Sequence, residues 1–170
     1  MDNIMICTFL VIITLAIISD LRERRIPNVI ILVGIFFAFI NIILFNAPLP
    51  LGQYLLGFVL GIALLIVPFI FRGIGAGDVK LLGVIGLWLG TKDVLNVVIY
   101  SALIGGCWAI LKLVGYRLHK YKNVKAVSSA FVNSVFTKNF ISEDEKKIDV
   151  PYAVPLGVAT VWVLFYGGLL

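Results

Sequence analysis

A chain of 170 residues that is 61% hydrophobic and only 14% charged, with a mean hydropathy of +1.09, lies outside the range of soluble domains. Those are about half apolar and about a quarter charged. The composition excludes a separate soluble enzyme domain and predicts one integral-membrane domain over residues 1–170. The formal net charge of +5 is then loop-charge asymmetry across a bilayer, with no nucleic-acid partner implied.

The first apolar run, at about 4–19, follows Met1-Asp2-Asn3. It has no basic flank of a secretory signal and reads as a retained span. It ends in Ser19-Asp20, followed by Arg22, Arg24 and Arg25. Pro27 suits a first helical turn and starts the second segment, at about 28–46. The uncharged turn Asn46-Ala47-Pro48-Leu49-Pro50 leads to the third segment, at about 52–71, where Pro68 predicts a kink near the end. A glycine-rich stretch, Gly73-Ile74-Gly75-Ala76-Gly77-Asp78, precedes a fourth segment at 79–90. That segment is clearly shorter than the roughly 20 residues a span requires.

The fifth segment, at about 94–114, opens into a polar stretch at about 116–149. There Val124, Val127, Phe131 and Val135 recur at helical spacing, which predicts an amphipathic helix on the membrane interface. The acidic run Glu143-Asp144-Glu145 reads as a solvated loop, and His119, without a His or Cys partner, as a loop residue. A sixth segment fills about 152–170. The predicted fold is an all-α polytopic helix bundle of about six transmembrane helices.

Lysine and arginine set the orientation. Arg22, Arg24 and Arg25, then Arg72 and Lys80, then the cluster from Lys112 to Lys147, all fall on one side, and Lys92 on the other. The positive-inside rule makes the first side cytoplasmic and places both termini outside. Asp20 and Asp78 then share the cytoplasmic side of a multi-pass protein of the cell membrane. A helix running from Gly90 back to Asp78 covers only about 18 Å, so Asp78 is expected to sit below the surface, in a cavity that shields irregular backbone.

Gly57 and Gly61 form a GxxxG pair, and Gly83, Gly86 and Gly90 give the fourth segment a small face. Both patterns are read as helix packing. Cys7 and Cys107 lie inside apolar runs without a CxxC neighbour. They are expected to be small buried hydrophobes rather than metal ligands or a disulfide.

An ionisable side chain at a hydrocarbon boundary is costly and marks function. Two carboxyls a few ångströms apart cannot both ionise cheaply, so Asp20 and Asp78 would share a proton. One then activates water against a peptide carbonyl while the other hydrogen-bonds the carbonyl oxygen. Gly75 and Gly77 can take positive φ and admit a substrate backbone beside Asp78. The stretch satisfies neither GxGxxG nor GxxxxGK[ST], which argues against nucleotide binding. Lys80 and the three arginines read as snorkelling and topology residues. Paired intramembrane acids also suit a small permease that binds ions or protons, or an inactive assembly scaffold.

Ser19-Asp20-Leu21-Arg22-Glu23-Arg24-Arg25-Ile26-Pro27-Asn28 resembles the first aspartate motif of the type IV prepilin peptidases and archaeal preflagellin peptidases. Gly75-Ala76-Gly77-Asp78-Val79-Lys80-Leu81-Leu82 resembles their GxGD motif. Val150-Pro151-Tyr152-Ala153-Val154-Pro155-Leu156-Gly157 resembles the start of their last span. The resemblance implies an intramembrane aspartyl endopeptidase with Asp20 and Asp78 as the catalytic pair. It would cut a short basic leader from prepilin-like precursors at the cytoplasmic face, with no metal and no organic cofactor. Bifunctional members carry an N-terminal insertion with paired CxxC motifs, which this chain lacks. That implies the short form without methyltransferase activity, similar to those serving Flp-type or tight-adherence pili.

Overall fold

The computed structural model describes residues 3–44, 48–71, 74–121 and 152–167. Among them there are six helices and no strand. The helices are α1 (Asn3–Glu23), α2 (Asn28–Leu44), α3 (Leu51–Ile70), α4 (Ala76–Leu89), α5 (Thr91–Tyr121) and α6 (Ala153–Tyr166). The all-helical fold expected from the apolar runs is present. Three helical stretches, Ile4–Glu23, Leu51–Ile70 and Thr91–Lys112, are long and apolar enough to cross a membrane. Asn28–Leu44 and Ala153–Tyr166 are shorter apolar helices. This is a helical membrane protein.

The chain divides into two compact units, Met1–Ala102 with Pro151–Leu170, and Leu103–Val150. In the second unit the described residues are 103–121, all helical. Hydropathy placed the end of the fifth helix near 114, yet the helix runs on through Tyr121. Charged side chains end a membrane span without ending a helix, because Lys and Arg are good helix formers. The backbone of His119 is therefore helical, not loop. Beyond Tyr121, the amphipathic helix and the acidic run both lie outside the described residues.

In the first unit α4 is central. It packs against α2, α3 and α6, while α1 packs against α2 and α6. From Asp78 to Leu89 every α4 residue is buried except Lys80, as expected of a helix that is apolar nearly all round. The neighbouring helices bury only a stripe. On α2 it is Ile31, Gly34, Ala38 and Asn41, and on α3 it is Tyr54, Gly57, Gly61 and Leu65. This alternation of three and four residues keeps one face on α4, and Leu32, Phe36, Leu55 and Val59 point outward.

Lipid tails are as apolar as leucine, so packing between such helices depends on close fit. The expected glycine faces provide it. A methyl group added to Gly61 would lie 2.6 Å from the Leu82 carbonyl oxygen, and one added to Gly86 would run into the Gly57 carbonyl. The α3 and α4 backbones thus touch. On the opposite side of α4, Trp88 stacks on Phe9 of α1 at 4.8 Å between ring centroids. Its indole Nε1 donates to the Gly34 carbonyl of α2 at 3.0 Å.

Gly90 ends α4 at φ 88°, in the left-handed region where a side chain is strained, and α5 begins at the next residue. Thr91 Oγ1 donates to the Gln53 carbonyl of α3 at 3.0 Å, fastening this joint. Pro68 lies within the last turn of α3. Cys7 and Cys107 are exposed, contrary to the expectation of burial. A small thiol loses nothing against hydrocarbon, so apolarity alone did not place these residues inside.

Candidate active site

Asp20 lies in the last turn of α1 and Asp78 in the first turn of α4. They are 7% and 6% exposed, so both carboxyls are withdrawn from solvent. They come close enough for the charge on Asp20 to act on Asp78. Two acids separated by 58 positions in the sequence therefore converge at one end of the bundle.

Local sequence explains how α4 starts here. Gly75, in extended backbone at φ −76° and ψ 150°, is the N-cap, and its carbonyl accepts from the Asp78 N–H at 3.1 Å. Asp78 is the third helical residue, from which an acidic side chain can turn back to the N-cap N–H. The Asp78 carboxyl does so toward Gly75. Its second oxygen, Oδ1, is buried and has no hydrogen-bond partner among the described residues. Buried polar atoms almost always have partners, so this orphan is the most distinctive atom of the site.

The two glycines act differently from the sequence expectation. Neither has positive φ: Gly75 is extended and Gly77 is helical. Their lack of a side chain makes room for this chain's own groups. A methyl group on Gly75 would lie 3.2 Å from Asp78 Oδ2, and one on Gly77 would lie 3.0 Å from Cβ of Ile26. Asp78 is thus in the first turn of a helix that starts three residues before the apolar run, and the glycine loop ends at Gly75.

The segment between α1 and α2 closes over this turn. Arg24 takes φ 53° and its N–H donates to the Asp20 carbonyl at 3.0 Å, ending α1. Ser19 Oγ donates to the Arg25 carbonyl at 2.9 Å, tightening the reversal. Ile26 is buried over Gly77. Asn28 then accepts from Lys80 Nζ at 2.9 Å, joining α2 to α4. Lys80 therefore has a protein partner where snorkelling to headgroups was expected. The two motifs, separate in sequence, hold each other in place.

A third element escaped the sequence reading. The Ala153 N–H, at the start of α6, donates to Asp20 Oδ2 at 3.4 Å. Tyr152, the residue before it, shares a hydrogen bond with Ser101 of α5, Oη to Oγ 3.3 Å. A tyrosine at the head of an apolar run reads as a membrane-interface anchor, and Ser101 as one polar residue in a span. Only the resemblance of residues 150–157 to a known last-span start pointed here, without naming a role.

Residues 6–110 match the model of the type IV leader peptidase family. That stretch covers α1 to α4 and most of the apolar part of α5, and contains both aspartates. The chain belongs to the type IV leader peptidase family. It is accordingly a peptidase, with prepilin-like substrates. No curated protein matches the chain, and no solved structure does.

Proposed function

We propose that this protein is an aspartic-type intramembrane endopeptidase in which Asp20 and Asp78 form the catalytic dyad. It removes the short basic leader of type IV prepilin-like precursors, of the Flp or tight-adherence kind, at the cytoplasmic face of the cell membrane. One observation carries the reading: two buried carboxyls, near enough for the charge of Asp20 to act on Asp78, stand in a chain of a leader peptidase family, and one oxygen of Asp78 has no partner among the described residues.

Two such groups divide the work of amide hydrolysis. The ionised carboxylate accepts a proton from water as the water oxygen attacks the scissile carbonyl. The protonated carboxyl donates a hydrogen bond to the carbonyl oxygen, on which negative charge grows. A proton then passes to the leaving nitrogen and the C–N bond breaks. The titrations belong to the pair, so neither residue is fixed as acid or base. Asp78 Oδ1, with no partner to surrender among the described residues, is the atom we assign to water or to the substrate carbonyl.

The charge distribution supports the side of action. Arg22, Arg24, Arg25 and Lys80 flank the aspartates and belong on the cytoplasmic side, which puts both termini outside. Since Ile26 occupies the space beside Gly77, a substrate backbone approaching at that glycine would have to displace it.

Co-expression with a prepilin-like precursor, with leader removal followed by its mobility shift, tests the reading. Wild type should process the precursor, and Asp20→Asn and Asp78→Asn should accumulate it uncut while remaining folded in membranes. Processing at the wild-type rate by either variant would sink the dyad. Absence of cleavage by the wild type across precursors of this class would favour an assembly scaffold.

A further inference from the structure

Asp20 and the start of α6 are linked in a way that the two-aspartate reading leaves unused. The first N–H groups of a helix have no intrahelical acceptor, and they favour a neighbouring carboxylate. In α6 the third helical residue is Pro155, which has no N–H to offer. The Ala153 N–H is one of the few donors left there, and it points at Asp20 Oδ2. Ala153 is fully buried, so this donor is committed to the carboxyl.

The turn that presents this N–H is held at Tyr152. Ser101 Oγ lies 3.0 Å from the Val98 carbonyl and 3.3 Å from Tyr152 Oη. A hydroxyl has one proton, and the carbonyl can only accept. Ser101 therefore donates to Val98, and the Tyr152 phenol donates to Ser101. The chain of bonds has one direction, Tyr152 to Ser101 to Val98, and it ties α6 to the fully buried Ser101 of α5. The phenol oxygen keeps its lone pairs, and Tyr152 also feels the charge of Asp78. A single residue thus faces one carboxyl through its field and the other through the N–H of its neighbour.

We propose that Tyr152 is a positioning residue of this site. Pinned by Ser101, it sets the first turn of α6 so that the Ala153 N–H holds the Asp20 carboxyl in orientation toward Asp78. The proposal rests on the dyad reading for its catalytic consequence, but not for its structural one. It concerns the phenolic hydroxyl, which phenylalanine would lack while filling the same space.

The experiment uses full-length protein in lipid nanodiscs, comparing wild type with Tyr152→Phe, Ser101→Ala and Ser101→Thr. The Asp20 carboxyl band is recorded by infrared spectroscopy and assigned by its loss in Asp20→Asn. Leader removal is measured in parallel, per folded molecule. Tyr152→Phe and Ser101→Ala should each shift the Asp20 band and lower kcat with KM unchanged, by up to the roughly 10²-fold that a misplacement of about 1 Å can cost. Ser101→Thr, which keeps the hydroxyl, should restore both. An unshifted band together with wild-type kcat in Tyr152→Phe overturns the proposal. So does a fall that tracks folded yield alone, or a rise in KM at constant kcat. If no variant or wild type cleaves substrate, the dyad reading fails, while the infrared shift still decides the positioning role.

Discussion

The two ends of α4 are built on opposite terms. In its first five residues the chain places a carboxyl with an oxygen that has no partner among the described residues, beside a glycine N-cap, and a lysine bonded to Asn28 of α2. At its last two turns there is no chemistry, only fit: Gly86 against the Gly57 carbonyl, Trp88 between Phe9 and Gly34, and Gly90 at positive φ. At the site end the glycines face side chains, Asp78 and Ile26, while at the far end the obstacle to a methyl group on Gly86 is the α3 backbone itself. Within one 14-residue helix, a buried carboxyl with an open acceptor stands at one end and close backbone packing at the other.

Substitutions separate these two regimes, and the largest effect is expected at the site end. Asp78→Asn and Asp20→Asn should each reduce leader removal by at least the roughly 10²–10⁴-fold attributed to general acid–base groups. Their melting temperature in detergent should stay near that of wild type. A double variant no slower than either single one would mark the pair as one unit. If Asp78→Asn instead lost folded protein, the contrast between the ends would disappear.

Next in size are the close crossings of α3 on α4. Gly86→Leu should leave little folded protein, because the obstacle is the α3 backbone and not a side chain that can swing away. Gly61→Ala should cost about 1–3 kcal/mol, the usual range for overpacking. Thermal unfolding in micelles reads both, and activity per folded molecule should be nearly unchanged for Gly61→Ala.

Trp88→Phe keeps a ring against Phe9 but loses the bond to Gly34, for an expected cost of about 1–2 kcal/mol. The same unfolding measurement checks it. Lys80→Ala should have the smallest effect, below about 1 kcal/mol for an exposed contact. Its consequence should be a modest drop in turnover as the α1–α2 segment loosens over Gly77. A larger kinetic loss than that of Tyr152→Phe would move the main positioning role from α6 to α2.

Much of this was legible in the sequence. The apolar runs, the Arg-rich reversal, the GxxxG pair and both aspartates stand out because membrane burial penalises charge and rewards small residues. The starts and ends of helices were less legible. Hydropathy marks where a chain leaves the bilayer, so Ala76 to Asp78 and Tyr116 to Tyr121, polar or glycine-rich yet helical, fell outside the expected segments. Gly75 and Gly77 were misread conformationally because a glycine is required equally by positive φ and by a tight neighbour, here Asp78 and Ile26. Ala153 was invisible, since its contribution is a backbone N–H that any residue but proline would carry. Lys80 found Asn28 only through folding, across 52 positions.

The single-residue joint at Gly90 has one more consequence. With its far end packed against α3, α4 behaves as a ruler with a fixed zero, and its length sets how far along the helix Asp78 falls. Inserting one residue between Asp78 and Gly90 would turn that carboxyl by about 100° and displace it by about 1.5 Å, carrying it away from Asp20. The number of residues in this helix is therefore as strict a requirement as their identity.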